Sequence, residues 1–297
     1  MDYLTIILIL IILFIVGYLI YSYIYKTTKI IMLDTNELKQ KYHHKIKEFE
    51  RNNNIIYPLN KKTYFKINHG NNYYKFFERQ GGEFNILCIL DDNNDVVGLI
   101  CGIKKMDENN GYKYWYMCDF KINKDYRNLG LSYKLWNMAT KKLAETNYKM
   151  YGINMKDNND KNIFNLALKL DSSFKEGPNL MIYMLNGNDM NKIINILIKY
   201  LGENICFVSL NSIKDLILTH NNTKMKIMYL ERNADGMKTN LHSVKFLENT
   251  TYCFCTPNNT KLYKELIKNN IKTNIIARII HLNMTDFDWS NIVASHI

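Results

Sequence analysis

Residues 4–24 form an almost unbroken apolar run, and no later stretch repeats it. About 20 apolar residues in a helix cross a hydrocarbon core of about 30 Å, so the run predicts a transmembrane helix. Tyr18, Tyr21, Tyr23 and Tyr25 crowd its C-terminal end, where amphipathic rings sit at headgroup level. Asp2 stands where a signal peptide carries a basic leader and no A-x-A-like site follows, so the run reads as an uncleaved anchor. Lys26 and Lys29 beyond it place the globular part of a single-pass membrane protein in the cytosol by the positive-inside tendency.

Beyond the anchor the periodicity alternates between helix and strand. Residues 34–50 predict a polar helix with Leu38, Tyr42, Ile46 and Phe49 down one side, capped by Asp34 or Thr35. Adjacent His43 and His44 point in different directions on such a helix and read as solvent-facing. Residues 55–66 lead into a helix-like stretch, 71–79, that ends at Gly81 and Gly82. Residues 85–90 (NILCIL) and 96–104 (VVGLICGIK) flank a DDNND turn cluster as a hairpin, and 112–122 adds a third strand. Next come a strand at 149–155, a helix at 158–170 with Ile163, Leu166, Ala167 and Leu170 at helical spacing, a Gly177-Pro178 turn and a strand at 180–185. After a break at 187–189, helices are predicted at 190–200, 211–220 and 261–269, and strands at 205–210, 225–230, 252–256 and 275–282. The fold class is therefore α/β, with a mixed central sheet flanked by helices. The expected divisions are an anchor at 1–27, a juxtamembrane helix and linker at 28–59, a first α/β domain at 60–186 and a second, C-terminal α/β domain at 187–297.

Composition changes this picture little. Hydrophobic residues make up 47% of the 297, enough for a sizeable core. The net charge of +11 is spread along the chain without a dense basic block or aromatic-basic repeat, which reads as a solvated surface and not a nucleic-acid interface. The six cysteines are scattered, most inside apolar runs, as in a reducing compartment. Cys253-x-Cys255 has the wrong spacing for a zinc knuckle, so no metal is expected.

Candidate chemistry concentrates in residues 114–146. A strand-like YWYMCDFKI is followed by NKDY and then by Arg127-Asn128-Leu129-Gly130-Leu131-Ser132, which opens an amphipathic helix. A basic residue, a glycine and a small residue at a strand-to-helix junction point free backbone N–H groups at one spot, and the helix dipole makes that spot favour anions. Gly130 lets the backbone come close to a ligand.

The order strand, R-x-x-G-x-(small), helix resembles the pyrophosphate-binding motif Q/R-x-x-G-x-G/A of the GNAT superfamily of N-acetyltransferases. Arg127 and Gly130 match, and Ser132 stands where that family has Gly or Ala. The three-strand meander precedes the motif in the family's order. Asn162 lies twelve residues before Phe174, as in the family's second, Asn-x-x-Ala helix motif. The resemblance covers residues 60–186. It departs at Asn165, in place of Ala, at Ser173, in place of Gly, and at Lys169, which stands where many members carry a tyrosine that protonates the departing thiolate.

The resemblance implies a GNAT-like domain that takes acetyl-CoA or another acyl-CoA as co-substrate and transfers the acyl group to an amine, on a small molecule or a protein, beside a membrane. The pyrophosphate is then expected on Arg127, Asn128, Leu129, Gly130, Leu131 and Ser132, with Asn162 on the second motif. The pantetheine is expected along Phe120, Lys121 and Ile122. Acyl transfer to an amine needs a base, and Asp119, just before the loop, is the leading candidate. Lys169 is the candidate acid, and Cys118 a candidate acyl-accepting nucleophile. Tyr73, Tyr74, Phe76 and Phe77 are expected either to line the acceptor pocket or to pack on the sheet. Paired acyltransferase domains in related families suggest that 187–297 is a degenerate copy of the first unit. A non-catalytic protein that keeps the fold for binding or scaffolding is the alternative.

Overall fold

The computed structural model describes residues 3–26, 28–53, 55–60, 62–106, 111–143, 149–156, 161–232 and 238–297. Helix α1 (Tyr3–Lys26) contains a 19-residue segment, Tyr3–Tyr21, of mean hydropathy 3.0 with none of it buried, long and apolar enough to cross a membrane. Asp2 and the side chains of Tyr23, Tyr25 and Lys26 lie outside the described residues.

An eleven-stranded mixed sheet carries the rest of the fold. Strand β1 (Lys29–Leu33) pairs antiparallel with β4 (Phe84–Leu90), β4 with β5 (Val96–Met106), and β5 with β6 (Lys113–Ile122), so the expected meander gains an edge strand from the segment read as linker. Strand β6 runs parallel to β7 (Met150–Met155). Strand β8 (Lys175–Leu185) does not pair with β7. Instead β14 (Ile275–Leu282) lies between them, antiparallel to both. On its other side β8 pairs with β13 (Thr251–Pro257), followed by β11 (Ile227–Glu231), β9 (Asn204–Val208) and β12 (Lys238–Asn240). The sheet therefore runs without interruption past residue 187.

Helix α2 (Asn36–Asn53) starts from Thr35, whose Oγ1 accepts from the amide of Leu38 at 3.3 Å. It buries Tyr42, Ile46 and Phe49 on one face of the sheet, with Leu38 packed beside them. Helix α4 (Leu131–Leu143) buries Leu131, Leu135, Trp136 and Ala139 on the other, against Leu87, Ile89, Val97, Ile100 and Trp115. At about 1.5–3 kcal/mol for each large buried side chain, these two stripes fix both helices on the sheet. Helix α5 (Lys161–Leu170) joins the same face through Ala167, Leu168 and Leu170, and Phe174 meets Trp136 with ring centroids 5.1 Å apart. Residues 144–146 and 158–160 of the two expected helices lie outside the described residues. Helices α6 (Gly187–Leu201) and α7 (Lys261–Lys268) cover the far half of the sheet.

Four local readings change. Residues 211–220 hold strand β10 (Asp215–Leu218), not a helix; its LIL run pairs with β3 (Tyr64–Asn68), which also pairs with β2 (Ile56–Pro58) in a separate three-stranded sheet. Gly177 and Pro178 lie inside β8, where the register against β14 shifts and spares the missing proline donor. The stretch 71–79 is helical only at α3 (Lys75–Arg79). His43 does not face solvent: its Nε2 accepts from the Tyr73 amide at 3.3 Å, and its ring lies against Tyr74.

Candidate active site

Strands β6 and β7 pair only over Trp115–Met150, Tyr116–Tyr151 and Met117–Gly152. Beyond Met117 and Gly152 they diverge, and β7 keeps pairing only with β14. The divergence begins where β6 bulges: Cys101 faces Cys118 and Leu99 faces Lys121, leaving Asp119 and Phe120 opposite Ile100 alone. Asp119 takes φ +53°, uncommon for a non-glycine residue and held here by its side-chain bonds. The bulge leaves backbone of Phe120 to Ile122 beside the opening, with Phe120 exposed.

The β6 end passes through a 3₁₀ turn, Lys124–Tyr126, into the expected cradle. Asn128 and Gly130 both have positive φ, +66° and +69°, which turns the chain sharply before α4. The Gly130 carbonyl accepts from the Lys134 amide at 3.1 Å, so α4 begins at Leu131 and leaves the amides of Leu131, Ser132 and Tyr133 without intrahelical acceptors. Arg127 and Asn128 are exposed at the mouth, with Arg127 Nε donating to the Ile122 carbonyl at 3.4 Å. Leu129 packs toward the α4 core. Asn162 lies in the first turn of α5, its side chain outside the described residues, and Lys169 is exposed near the other end of that helix.

Asp119 lies on the face covered by α2 and α3. Its Oδ1 is 2.8 Å from Lys121 Nζ, and its Oδ2 accepts from the Tyr73 hydroxyl. Only 11% of the Asp119 side chain and 8% of the Lys121 side chain are exposed. Burial alone pushes the Asp119 carboxyl up, but Lys121, His69 and the Tyr73 hydrogen bond outweigh it and hold the group below the usual carboxylate range. Lys121 is held above the usual lysine range: burial opposes its charge, and Asp119 overcomes it. Asp119 is thus ionised at neutral pH, with each oxygen accepting one bond and lone pairs left for a third partner.

A second buried pair lies beside it. His69 Nδ1 contacts Glu50 Oε1, and Lys47 Nζ is 3.3 Å from Glu50 Oε2. Burial raises the Glu50 carboxyl, but the bond and charge of His69 bring it below its ordinary value. Gly70, at φ +61°, makes the turn that follows His69; a Cβ there would stand 1.9 Å from the Ser212 carbonyl oxygen. Tyr73, Tyr74, Phe76 and Phe77 are all buried, so these aromatics wall the cluster. Behind them, the buried Lys214 amine lies 4.4 Å over the Phe76 ring, donates to the Ile297 carbonyl, and is lowered by burial to about 8. Cys118 adjoins Cys101 in the strand core, and all six thiols are free.

The structure thus assembles the cradle residues at the end of β6 and Asp119 at its bulge. Glu50, His69 and Lys214 join Asp119 unannounced by the sequence, because their spacing along the chain carries no motif. Among the described residues no group of His, Cys, Asp and Glu has the makings of a metal site.

Residues 53–164 match the model of the acetyltransferase (GNAT) family. The match spans the meander, the bulge, the cradle and the start of α5. An uncharacterized protein of Acanthamoeba polyphaga mimivirus is 25% identical over 266 residues, covering 82% of this chain and 75% of its own. Among solved structures, Arabidopsis thaliana NAA60 in complex with acetyl-CoA aligns over 52% of this chain and 88% of its own at 15% identity and TM-score 0.35. A putative acetyltransferase from Acinetobacter baylyi aligns over 52% and 82% at 18% identity and TM-score 0.35.

Proposed function

We propose that the chain is an acyl-CoA-dependent N-acyltransferase, with acetyl-CoA as the first donor to test, held at a membrane by α1 with its globular part in the cytosol. The observation that carries this reading is the opening between β6 and β7 beyond Met117 and Gly152, placed directly before the Arg127–Ser132 cradle. A pantetheine arm fits as an added partner along the edge of β6 at Phe120 to Ile122 that β7 does not pair with, and its pyrophosphate fits the α4 N-terminal amides that lack intrahelical acceptors. The thioester then reaches the bulge, across the sheet from α4, where Asp119 lies.

In this reading the amine enters from the α2 and α3 side. Asp119, ionised and fixed by Tyr73 and Lys121, takes its proton directly or through a water. The free amine attacks the thioester carbonyl, and as the oxyanion collapses the new amide nitrogen releases its second proton to solvent while the thiolate leaves with a proton drawn from Lys169 or solvent. A carboxylate held so acidic is a weak base, whether it acts directly or through a water.

The test is isothermal titration of the full chain in detergent with acetyl-CoA, beside Gly130→Glu. Saturable binding that the variant abolishes supports the donor site. A folded wild type that binds no acyl-CoA defeats the proposal. Binding without transfer to any amine, with Asp119→Asn equal to wild type, leaves a non-catalytic acyl-CoA-binding protein, a reading favoured by the exposure of Lys169.

A further inference from the structure

Residues 294–297 lie across the face of the sheet that carries Asp119, with Ala294, Ser295 and His296 buried. Side chains from separate parts of the fold grip them. Gln80, at the end of α3, donates its Nε2 to the Ser295 carbonyl at 3.4 Å, and Glu231 Oε1 of β11 accepts from the Ser295 amide at 2.9 Å. Tyr116 of β6 donates its hydroxyl to the His296 carbonyl, and Lys214 donates to the Ile297 carbonyl. These bonds all end on main-chain atoms and hold the segment by its backbone. The side chain that is read is His296. Its ring stacks on Tyr116 with centroids 5.3 Å apart, and its Nε2 is 2.8 Å from Lys105 Nζ of β5.

That last contact fixes the state of the ring. Lys105, lowered by burial to about 8, is charged throughout the acid range, and an ammonium can only donate. Nε2 therefore accepts, and the hydrogen of the neutral ring sits on Nδ1, which is buried without a partner. The ammonium also donates to the Gln80 carbonyl at 3.2 Å and to its Oε1 at 3.5 Å, so it cannot turn away without breaking bonds. A second proton on the ring would face Lys105 at hydrogen-bond distance, with Lys214 also close by. Glu231 is the carboxylate on that wall, and it is already engaged by the Ser295 amide. Once the segment leaves, water solvates the ring and the conflict ends. The open form thus takes up the proton first, and opening gains as pH falls below the ordinary histidine value of 6.5.

We propose that residues 294–297 form a strap that acid releases, with proton uptake by His296 as the trigger. Release bares Tyr116, one position before Met117 and Gly152, where β6 and β7 part, and uncovers the face on which the amine approaches Asp119. That role at an acceptor site rests on the acyltransfer reading above; the release itself does not.

The experiment follows amide hydrogen exchange of the full chain in detergent between about pH 5 and pH 7.5, each rate divided by its intrinsic value at that pH. A peptide spanning 290–297 reports the strap, and one spanning 190–197 in α6 reports the rest of the fold. The expected ratio of the two is flat above about pH 6.5 and rises below it, towards tenfold per pH unit. His296→Gln, which can still accept from Lys105 but takes up no proton, is expected to remove the rise. His281→Gln, which removes the imidazole packed on Trp289, is expected to leave it intact. A ratio that stays flat to about pH 5, strap exchange that rises only in step with α6, or a rise that persists in His296→Gln overturns the proposal. Should that variant fail to fold, the wild-type ratio decides alone. Acetyl-CoA is titrated separately at about pH 7. A released strap in a chain that binds no acetyl-CoA keeps the strap and removes its role at an acceptor site, whereas acetyl-CoA binding with a flat ratio does the reverse.

Discussion

Tyr73, two residues before α3, donates its hydroxyl to Asp119 across 46 positions of sequence, closing the bulge of β6 from the opposite side of the sheet's core. The tyrosine is fully buried, so Tyr73→Phe removes the donor without changing the packing volume. Leaving that carboxylate oxygen unpaired is expected to cost about 1–3 kcal/mol. Chemical denaturation of the variant checks it; an unchanged midpoint shows that water replaces the hydroxyl at no cost.

Gly70→Ala is expected to be worse. Its φ of +61° strains any L side chain, and the added Cβ meets the backbone oxygen of Ser212 at 1.9 Å. Backbone cannot swing away as a side chain does, so a loss of more than about 2 kcal/mol is expected. Thermal unfolding beside Gly81→Ala, where a Cβ meets nothing within 4 Å although φ is also positive, separates the clash from the strain.

Acid is expected to destabilise the fold through three groups of the same sign. Asp119 and Glu50 have folded pKa values below their ordinary ones, so each contributes stability that is complete above the unfolded value and lost as pH falls through the folded one. His296 is buried beside Lys105 and is held well below its ordinary 6.5, so the unfolded chain binds its proton first. Stability should therefore begin to fall below about pH 6.5 and fall faster below about pH 5. Asp119→Asn should flatten the steeper part, as read from urea midpoints measured across that range.

On the alkaline side two lysines continue the same trend. Burial lowers both Lys105 and Lys214 to about 8, so the unfolded chain holds more protons between there and the ordinary lysine value of 10.5. Stability should rise with pH from about 8 until the buried tyrosines, whose unfolded forms ionise near pH 10, reverse it. Lys214→Met should remove about half of the rise, and a profile identical to wild type would show that the amine is hydrated.

Local periodicity made much of this legible. The meander, the α2 stripe and the Arg127–Ser132 junction are each written within about twenty consecutive residues, where hydrophobic period and turn chemistry act directly. What escaped reading depends on distant partners. Residues 29–33 resemble a tail of the anchor until β4 pairs with them. Residues 211–220 carry enough apolar spacing for a helix, and only the neighbouring β3 selects a strand. Of the site, Asp119 and the cradle were visible, but Glu50, His69 and Lys214 come from three elements that meet only in the folded chain. The burial of Asp119 between Tyr73 and Lys121 also follows from packing that no local pattern encodes.

The position of β14 sets an order of events during synthesis. Strand β7 and strand β8 are made early, yet neither can gain its shared neighbour until residues 275–282 have left the ribosome. At about 5–20 residues per second, β7 waits several seconds with an unpaired edge. Throughout that interval the nascent chain carries an open sheet margin. Protection of that edge, by a chaperone or by early contact with other parts of the chain, is a requirement of this topology rather than of any single residue.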